Sequence, residues 1–367
     1  MSHFSLNLLG WHFGKNSMNI EQKLIVGLLG NARKSELTSL LEQEIDWKGF
    51  YKTATAQRVV PALFREVQEA SVEFPLEVIS SLRRRVKRMT MRNLEFAAEL
   101  KKLSDILEEN DIEFLSYKGL ALAELAYGDP SLRSFGDLDI FIRKEDFQKA
   151  KKTIYENGGS SFWTLSKKQE QAVLKYYYEY PFRFGRRPLL VEIHWAFMES
   201  FFGFDYEKED VFGRSQNVSL YGNEFQTLSN EDLFIILCVH GCKHYWKRLS
   251  WIYDIAKLIE NQPIDWNLTI SLAKKFGSSR MVFLGAHLAD ELFGVELPKP
   301  LKSLVKADKK VDLLASELQH QIFDDEISAE VIRSRTHLQM LDRWRDKFTY
   351  SQRLFRTKLI DSLFMPM

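Results

Sequence analysis

Residues 113–142 read EFLSYKGLALAELAYGDPSLRSFGDLDIFI. The stretch runs from a short apolar segment through Lys118-Gly119 into a helix-forming segment, and ends in an apolar strand whose first residues are acidic. Residues two apart in a strand share one face and lie roughly 6 to 7 Å apart, so Asp137 and Asp139 offer two carboxylates side by side. Leu138, Ile140 and Ile142 fall on the opposite face and anchor the strand in a core. Two oxygen-bearing groups at that spacing can hold a divalent cation. A second apolar run, LLVEIHW at residues 189–195, carries Glu192 in its middle. An isolated ionised carboxylate in an apolar layer is heavily penalised, so Glu192 needs a cationic partner. The economical partner is the same metal site.

Apolar spacing and chain breakers lay out the rest. Apolar residues recur at three- and four-residue intervals through 21–29 and 82–109, which predicts a helical first part. Strand character begins at 112–117, turns at Lys118-Gly119 and returns to a helix over 120–126. Gly128, Pro130 and Gly136 punctuate a loop before the acid-bearing strand. A helix over 144–157 stops at Gly158-Gly159. Aromatic, strand-like runs follow at 175–184 and 189–195. From Asn230, which with Glu231 and Asp232 makes a helix start, the pattern is helical to about residue 360. Pro298 and Pro300 separate that helical domain from a charged tail.

Three acids from two neighbouring strands, behind a strand-to-glycine turn, form a pattern that resembles the polymerase-beta-like nucleotidyltransferases. Within them the chain is similar to a family of mostly uncharacterised bacterial nucleotidyltransferases. The likeness rests on Lys118-Gly119, Tyr127-Gly128, Arg133, Gly136-Asp137-Leu138-Asp139, Glu192-Ile193-His194-Trp195 and the segment LFIILCVHGCKHYWKRLSWIYDIAKLI at 233–259. It touches the amino-terminal part through 46–67 and spans most of residues 21–290. It implies an α+β fold: a polymerase-beta-like nucleotidyltransferase core with a mixed sheet at 111–228, flanked by an N-terminal helical domain at 1–110 and a C-terminal helical domain and tail at 229–367. It also implies transfer of a nucleoside monophosphate from an NTP, ATP foremost, to an acceptor hydroxyl, with release of pyrophosphate.

On this likeness Asp137, Asp139 and Glu192 are the catalytic acids and the metal ligands. Two ions would sharpen the nucleophile and neutralise charge on the leaving side. Oxygen-only ligands favour Mg²⁺ or Mn²⁺ over zinc. Lys118-Gly119 suits phosphate, because glycine lets the backbone approach and a helix amino terminus carries positive potential. Better-known members of the superfamily open the site with Gly-Ser, and here Lys118-Gly119-Leu120 takes that place. Arg133, with Ser134 and Gly136 beside it, adds a planar donor fork for a phosphate oxygen. Related two-domain enzymes bring cations from a carboxy-terminal helical domain to the triphosphate; that role falls here on His240, Lys243 and His244.

Each assignment has a plain rival. Asp137 and Asp139 could edge a solvated loop, Glu192 could satisfy a buried arginine, and Lys118, Arg133 and Lys243 could be surface cations. His194, on the strand face of Glu192, is either a neighbour of the site or a core histidine. His240 and His244 share the zinc-protease spacing, but Gly241 stands where those enzymes need a glutamate. A kinase-like phosphoryl transferase and a catalytically inactive nucleotide-binding or regulatory module are the alternative functions. An intact set of acids argues against the second.

Composition bounds the remaining classes. Formal net charge is +1, from 51 basic and 50 acidic residues that are interspersed, so nothing global argues for nucleic acid. Cys238 and Cys242, one helical turn apart, read as two small buried side chains. No apolar run reaches the roughly 18 residues of a membrane span, and residues 1–17 lack the pattern of a signal peptide. The cytoplasm is the expected compartment. The acceptor stays open among small molecules, sugars, peptides and proteins.

Overall fold

The computed structural model describes residues 18–352 apart from 31, 71, 200–201, 203, 320 and 324–329, so the helical pattern expected at 353–360 lies outside the described residues. A five-stranded mixed sheet occupies the middle of the chain. Its strands are β1 (Phe114–Ser116), β2 (Asp137–Ile142), β3 (Ser160–Ser161), β4 (Glu179–Phe184) and β5 (Leu189–His194), in the order β1-β2-β5-β4-β3. Only β2 and β5 run parallel, and their register sets Asp139 directly beside Glu192. A separate hairpin, β6 (Gln216–Leu220) and β7 (Asn223–Thr227), turns at Tyr221-Gly222, both with positive φ, as a two-residue turn between twisted strands requires.

Strand parity divides the core. Leu138, Ile140, Ile142, Val191 and Ile193 pack with Phe96, Leu100 and Leu103 of the long helix Leu76–Glu108 and with Ile154 of helix Phe147–Glu156. Phe141, on the other face, joins Tyr117, Phe197 and the carboxy-terminal helices. The acids therefore sit on the face that looks toward helix Asn230–Lys243. Amino-terminal helices Ile20–Leu29, Trp47–Ala56 and Val60–Glu69 share that second core. The Gln57 side chain ties the two helical regions together, accepting from the Leu249 backbone amide at 2.7 Å and donating to the Ile322 carbonyl at 2.8 Å. No described helix is long and apolar enough to cross a membrane.

The structure corrects the sequence reading in three places. Residues 167–176 form a helix, so the strand begins only at Glu179. The next helix does start at Asn230, as its sequence predicts, and Ser229 caps it, its hydroxyl accepting from the Asp232 amide at 3.2 Å. The segment 233–259 is two helices, Asn230–Lys243 and Leu249–Asn261, parted by Tyr245 and Trp246 in the left-handed region at φ 57° and 51°. Beyond Pro298, helices Lys299–Ala307 and Lys309–Gln319 bury Leu301, Val305, Val311, Leu314 and Leu318 in the main core and are no loose tail. Cys238 and Cys242 are buried free thiols, as their spacing predicts.

The helix break has a packing cause. The fully buried Trp246 ring folds back over Gly241, where an added Cβ would meet ring carbons at 2.5 Å. Glycine inside a helix usually gains up to about 1 kcal/mol on replacement by alanine. At Gly241 the clash reverses the sign, and Gly241→Ala is expected to destabilise by about 1 to 3 kcal/mol, the range for overpacking, in a urea titration. A neutral or stabilising result would mean that Trp246 does not lie where it is described.

Candidate active site

Asp139, Glu192 and His194 form the centre of the site. One ligand atom from each lies within 4.8 Å of the others, and Asp139 and His194 are 4% and 1% exposed. His194 Nε2 stands 3.1 Å from Asp139 Oδ1 and 3.7 Å from Glu192 Oε2. The neighbouring strand supplies a residue the sequence reading missed: Glu179, opposite His194 in the β4–β5 register, brings Oε2 to 3.4 Å from His194 Nδ1. Asp137 is two residues ahead of Asp139 on the same strand face, and His194 takes the third place in the group that the sequence assigns to Asp137.

Like charges set the proton affinities. Burial pushes Glu192 up to about 8, and repulsion from Glu179, Asp139 and Asp137 adds to it. Burial likewise raises Asp137, with Asp139 as the second cause. Burial opposes the charge of Asp139 too, but Lys118 and His194 outweigh it and hold its carboxyl well below the usual range. Lys118 Nζ lies 2.8 Å from Asp139 Oδ1, and that attraction raises the lysine despite its burial. The ammonium assigned from sequence to phosphate is thus the counterion of Asp139 in this structure.

Lys118 also begins helix Gly119–Tyr127, without a side chain capping its first turn. Gly119 sits at φ +49°, and a Cβ there would stand 3.3 Å from the Asp137 carbonyl, so glycine lets the helix start press against the acid-bearing strand. Uncapped amides at a helix amino terminus suit an anion.

Facing the sheet, Ile236, His240 and His244 wall a cavity of about 180 Å³ with Tyr117, Lys118, Tyr178, Glu179, Glu192 and Phe197. The two imidazoles lie 4.6 Å apart, and each packs on Trp251 at 5.3 Å. Burial keeps both neutral, His244 down at about 3, so they meet a ligand as dipoles and not as the cations expected from sequence. Lys243 lies 3.8 Å over the Tyr178 ring and 3.2 Å from Glu199 Oε2.

Arg133 is committed elsewhere. Its Nε and Nη2 grip both carboxylate oxygens of Asp254 at 2.9 to 3.1 Å, and Tyr127 donates to the same carboxylate at 2.7 Å. The planar fork expected on a phosphate holds helix Leu249–Asn261 to the loop before β2 instead. Ser134 and Gly136 lie in that loop, where an Arg92 guanidinium donates to the Gly136 carbonyl at 3.4 Å. Asp254 could have been flagged by the logic applied to Glu192, as an acid set between the apolar residues Ile252, Tyr253, Ile255 and Ala256.

The family model described as an uncharacterised nucleotidyltransferase matches residues 43–294, more than half of the chain. Among solved structures, the antibiotic-resistance factor ANT(2'')-Ia in solution is 13% identical with a TM-score of 0.30, the match covering 63% of this chain and 92% of that one. An antigenic nucleotidyltransferase-like protein from Paracoccidioides brasiliensis is 16% identical with a TM-score of 0.35, over 61% and 94%. No curated protein matches the sequence.

Breaking one side of a buried ion pair leaves an uncompensated charge, so Asp254→Ala is expected to lose about 3 to 5 kcal/mol in chemical denaturation, with Arg133→Met/Asp254→Leu recovering most of it. Additive losses would show the pair uncoupled. Metal-free stability should also report Glu192. Its folded value of about 8 exceeds the ordinary 4.5, so its contribution is full below the lower value and is lost as pH rises through the upper one. In EDTA, Glu192→Gln is expected to flatten the fall of the urea midpoint across that window; an unchanged slope would contradict the shift.

Proposed function

The chain belongs to the family of uncharacterised nucleotidyltransferases, and from that premise we propose that it moves a nucleoside monophosphate from an NTP, ATP foremost, to an acceptor hydroxyl, releasing pyrophosphate. The observation that carries this reading is the convergence of Asp139, Glu192 and His194 beside the uncapped helix start at Gly119. The donors fit a divalent cation: two carboxylates and an imidazole whose ligand atoms lie within 4.8 Å of one another, with Asp139 and His194 buried. A bound Mg²⁺ or Mn²⁺ supplies charge neutralisation at the transferred phosphate and acidifies the acceptor hydroxyl.

The chain's own groups divide the remaining work. Asp139 and Glu192 hold the cation, with Asp137 next along the strand. Amides of the first turn after Lys118 meet phosphate oxygens. With a cation held by Asp139, Lys118 would be freed to pair with a phosphate oxygen. As the acceptor oxygen bonds to the α phosphorus, the bond to pyrophosphate breaks and the hydroxyl proton leaves. Glu192, deprotonated once it holds the cation, is the carboxylate placed to take that proton on its way to solvent. Tyr117, Phe197 and Ile236 keep the cavity dry, and the neutral His240 and His244 orient the acceptor by hydrogen bonds. In this reading 111–228 carries the chemistry, 229–367 closes the cleft and 1–110 braces both.

Glu192→Gln is the cleaner test of the two central acids. Asp139→Asn strips Lys118 of its counterion and so perturbs folding as well. In a screen of labelled NTPs and hydroxyl acceptors, Glu192→Gln should lower pyrophosphate release by at least about 100-fold, the scale of losing one group that stabilises transition-state charge. Its metal-free stability should equal or exceed that of the parent, because the parent must keep Glu192 protonated well above its ordinary range and glutamine need not. ADP in place of pyrophosphate would assign kinase chemistry, and full activity in the variant would remove Glu192 from the mechanism.

A further inference from the structure

We propose that His194 binds the metal directly through Nε2, making a mixed nitrogen and oxygen site that prefers Mn²⁺ to Mg²⁺. The inference rests on the metal-dependent reading above for the location of the site and departs from it in the ligand set.

Three observations carry it. His194 is almost wholly buried, yet three carboxylates surround it: Asp139 and Glu192 at 3.1 and 3.7 Å from Nε2, and Glu179 at 3.4 Å from Nδ1. A core histidine of ordinary kind would be satisfied by a neutral partner; here Nδ1 lacks a formed hydrogen bond altogether. Second, histidines that ligate metals are characteristically steered by a carboxylate on the other ring nitrogen. Glu179 has that position, fixed by its register opposite His194, and the ring plane is held edge-on by Tyr117 at 5.5 Å and flanked by Tyr178 at 5.8 Å.

Third, the nitrogen at hydrogen-bond distance from an acid is Nε2, 3.1 Å from Asp139 Oδ1, so a cation there would take the place of its proton. With that proton moved to Nδ1, toward Glu179, Nε2 would turn a lone pair toward the oxygens of Asp139 and Glu192. Lone pairs facing one another repel, and a cation among the three removes the repulsion while using every donor. Lys118 is in direct contact with Asp139, at 2.8 Å. Imidazole nitrogen suits first-row transition ions, whereas Mg²⁺ keeps to oxygen ligands and water.

Full-length protein titrated with Mn²⁺ alone, followed by loss of the free-ion EPR signal and by pulsed EPR of the bound ion, tests this without any substrate. The expected result is a Kd for Mn²⁺ at least about 10-fold below that for Mg²⁺, with ¹⁴N modulation that converts to ¹⁵N in protein labelled at histidine. His194→Asn should abolish the modulation and raise the Mn²⁺ Kd by about 10- to 100-fold, and Glu179→Gln should raise it by about 10-fold while keeping the modulation. Should His194→Asn not fold, His240→Asn and His244→Asn decide the question: modulation kept in both supports His194, and modulation lost in either overturns it. Bound Mn²⁺ without nitrogen modulation overturns the inference, as does modulation that persists in His194→Asn, which would point to His240 or His244. Mn²⁺ that binds only with NTP present also overturns it, while leaving nucleotidyl transfer intact. No metal binding with or without NTP would sink both readings.

Discussion

Two parallel strands paired with Asp139 beside Glu192 impose the constraint on which the site depends. The register is fixed by apolar residues on the other face, where Leu138 and Ile140 pair laterally with Val191 and Ile193. A shift by one residue would turn those side chains into the cleft and the acids into the core. The hydrophobic layer therefore forces like charges together, and the site relieves them unequally. Lys118 neutralises Asp139, while burial, with repulsion from Glu179 and both aspartates added to it, pushes Glu192 up to about 8. Adjacent carboxyls in opposite protonation states are what a buried pair adopts when only one cation is at hand.

The second determinant is how the helical wall is held over that face. Arg133 and Asp254 join the loop before β2 to helix Leu249–Asn261 through a bidentate pair, and Tyr127 adds a third bond. Burying such a pair gains little net energy, because both charges lose their water. Its value is geometric: a planar fork fits one orientation of the carboxylate. The break at Tyr245-Trp246 then lets helix Asn230–Lys243 turn back, so that Ile236, His240 and His244 look onto the acids. Gly241 is the contact on which that reversal rests.

What the sequence disclosed follows the reach of local rules. Alternation in 137–142 and 189–194 fixed the two faces of the sheet, and the glycine turn at Gly119 announced the helix start. Partners distant along the chain were invisible. Arg133 and Asp254 are 121 residues apart, so a free phosphate fork was a fair reading of a residue already taken. Glu179 was hidden because the aromatic run around it blurred the start of β4; only the register opposite His194 gives it meaning. The break in 233–259 had no proline to mark it, since a buried tryptophan and not a chain breaker causes it. His194 fell on the right face from parity alone, but whether it was core or site depended on the acids of two other strands.

These corrections shift the electrostatic burden of the proposed reaction. A triphosphate entering the cleft would find Arg133 occupied, His240 and His244 neutral, and Lys243 shared between Glu199 and the Tyr178 ring. Lys118 is the cation nearest the acids, and it is bound to Asp139. Side chains alone therefore offer the donor little positive charge, while Asp137, Asp139, Glu179 and Glu192 repel it. Divalent cations and the helix start at Gly119 must supply most of the attraction on the proposed reading, which makes nucleotide affinity metal-dependent by construction. On the same reading the helical wall would exclude water and orient an acceptor through neutral groups, and the aromatic and imidazole surfaces of the cavity would set specificity for it.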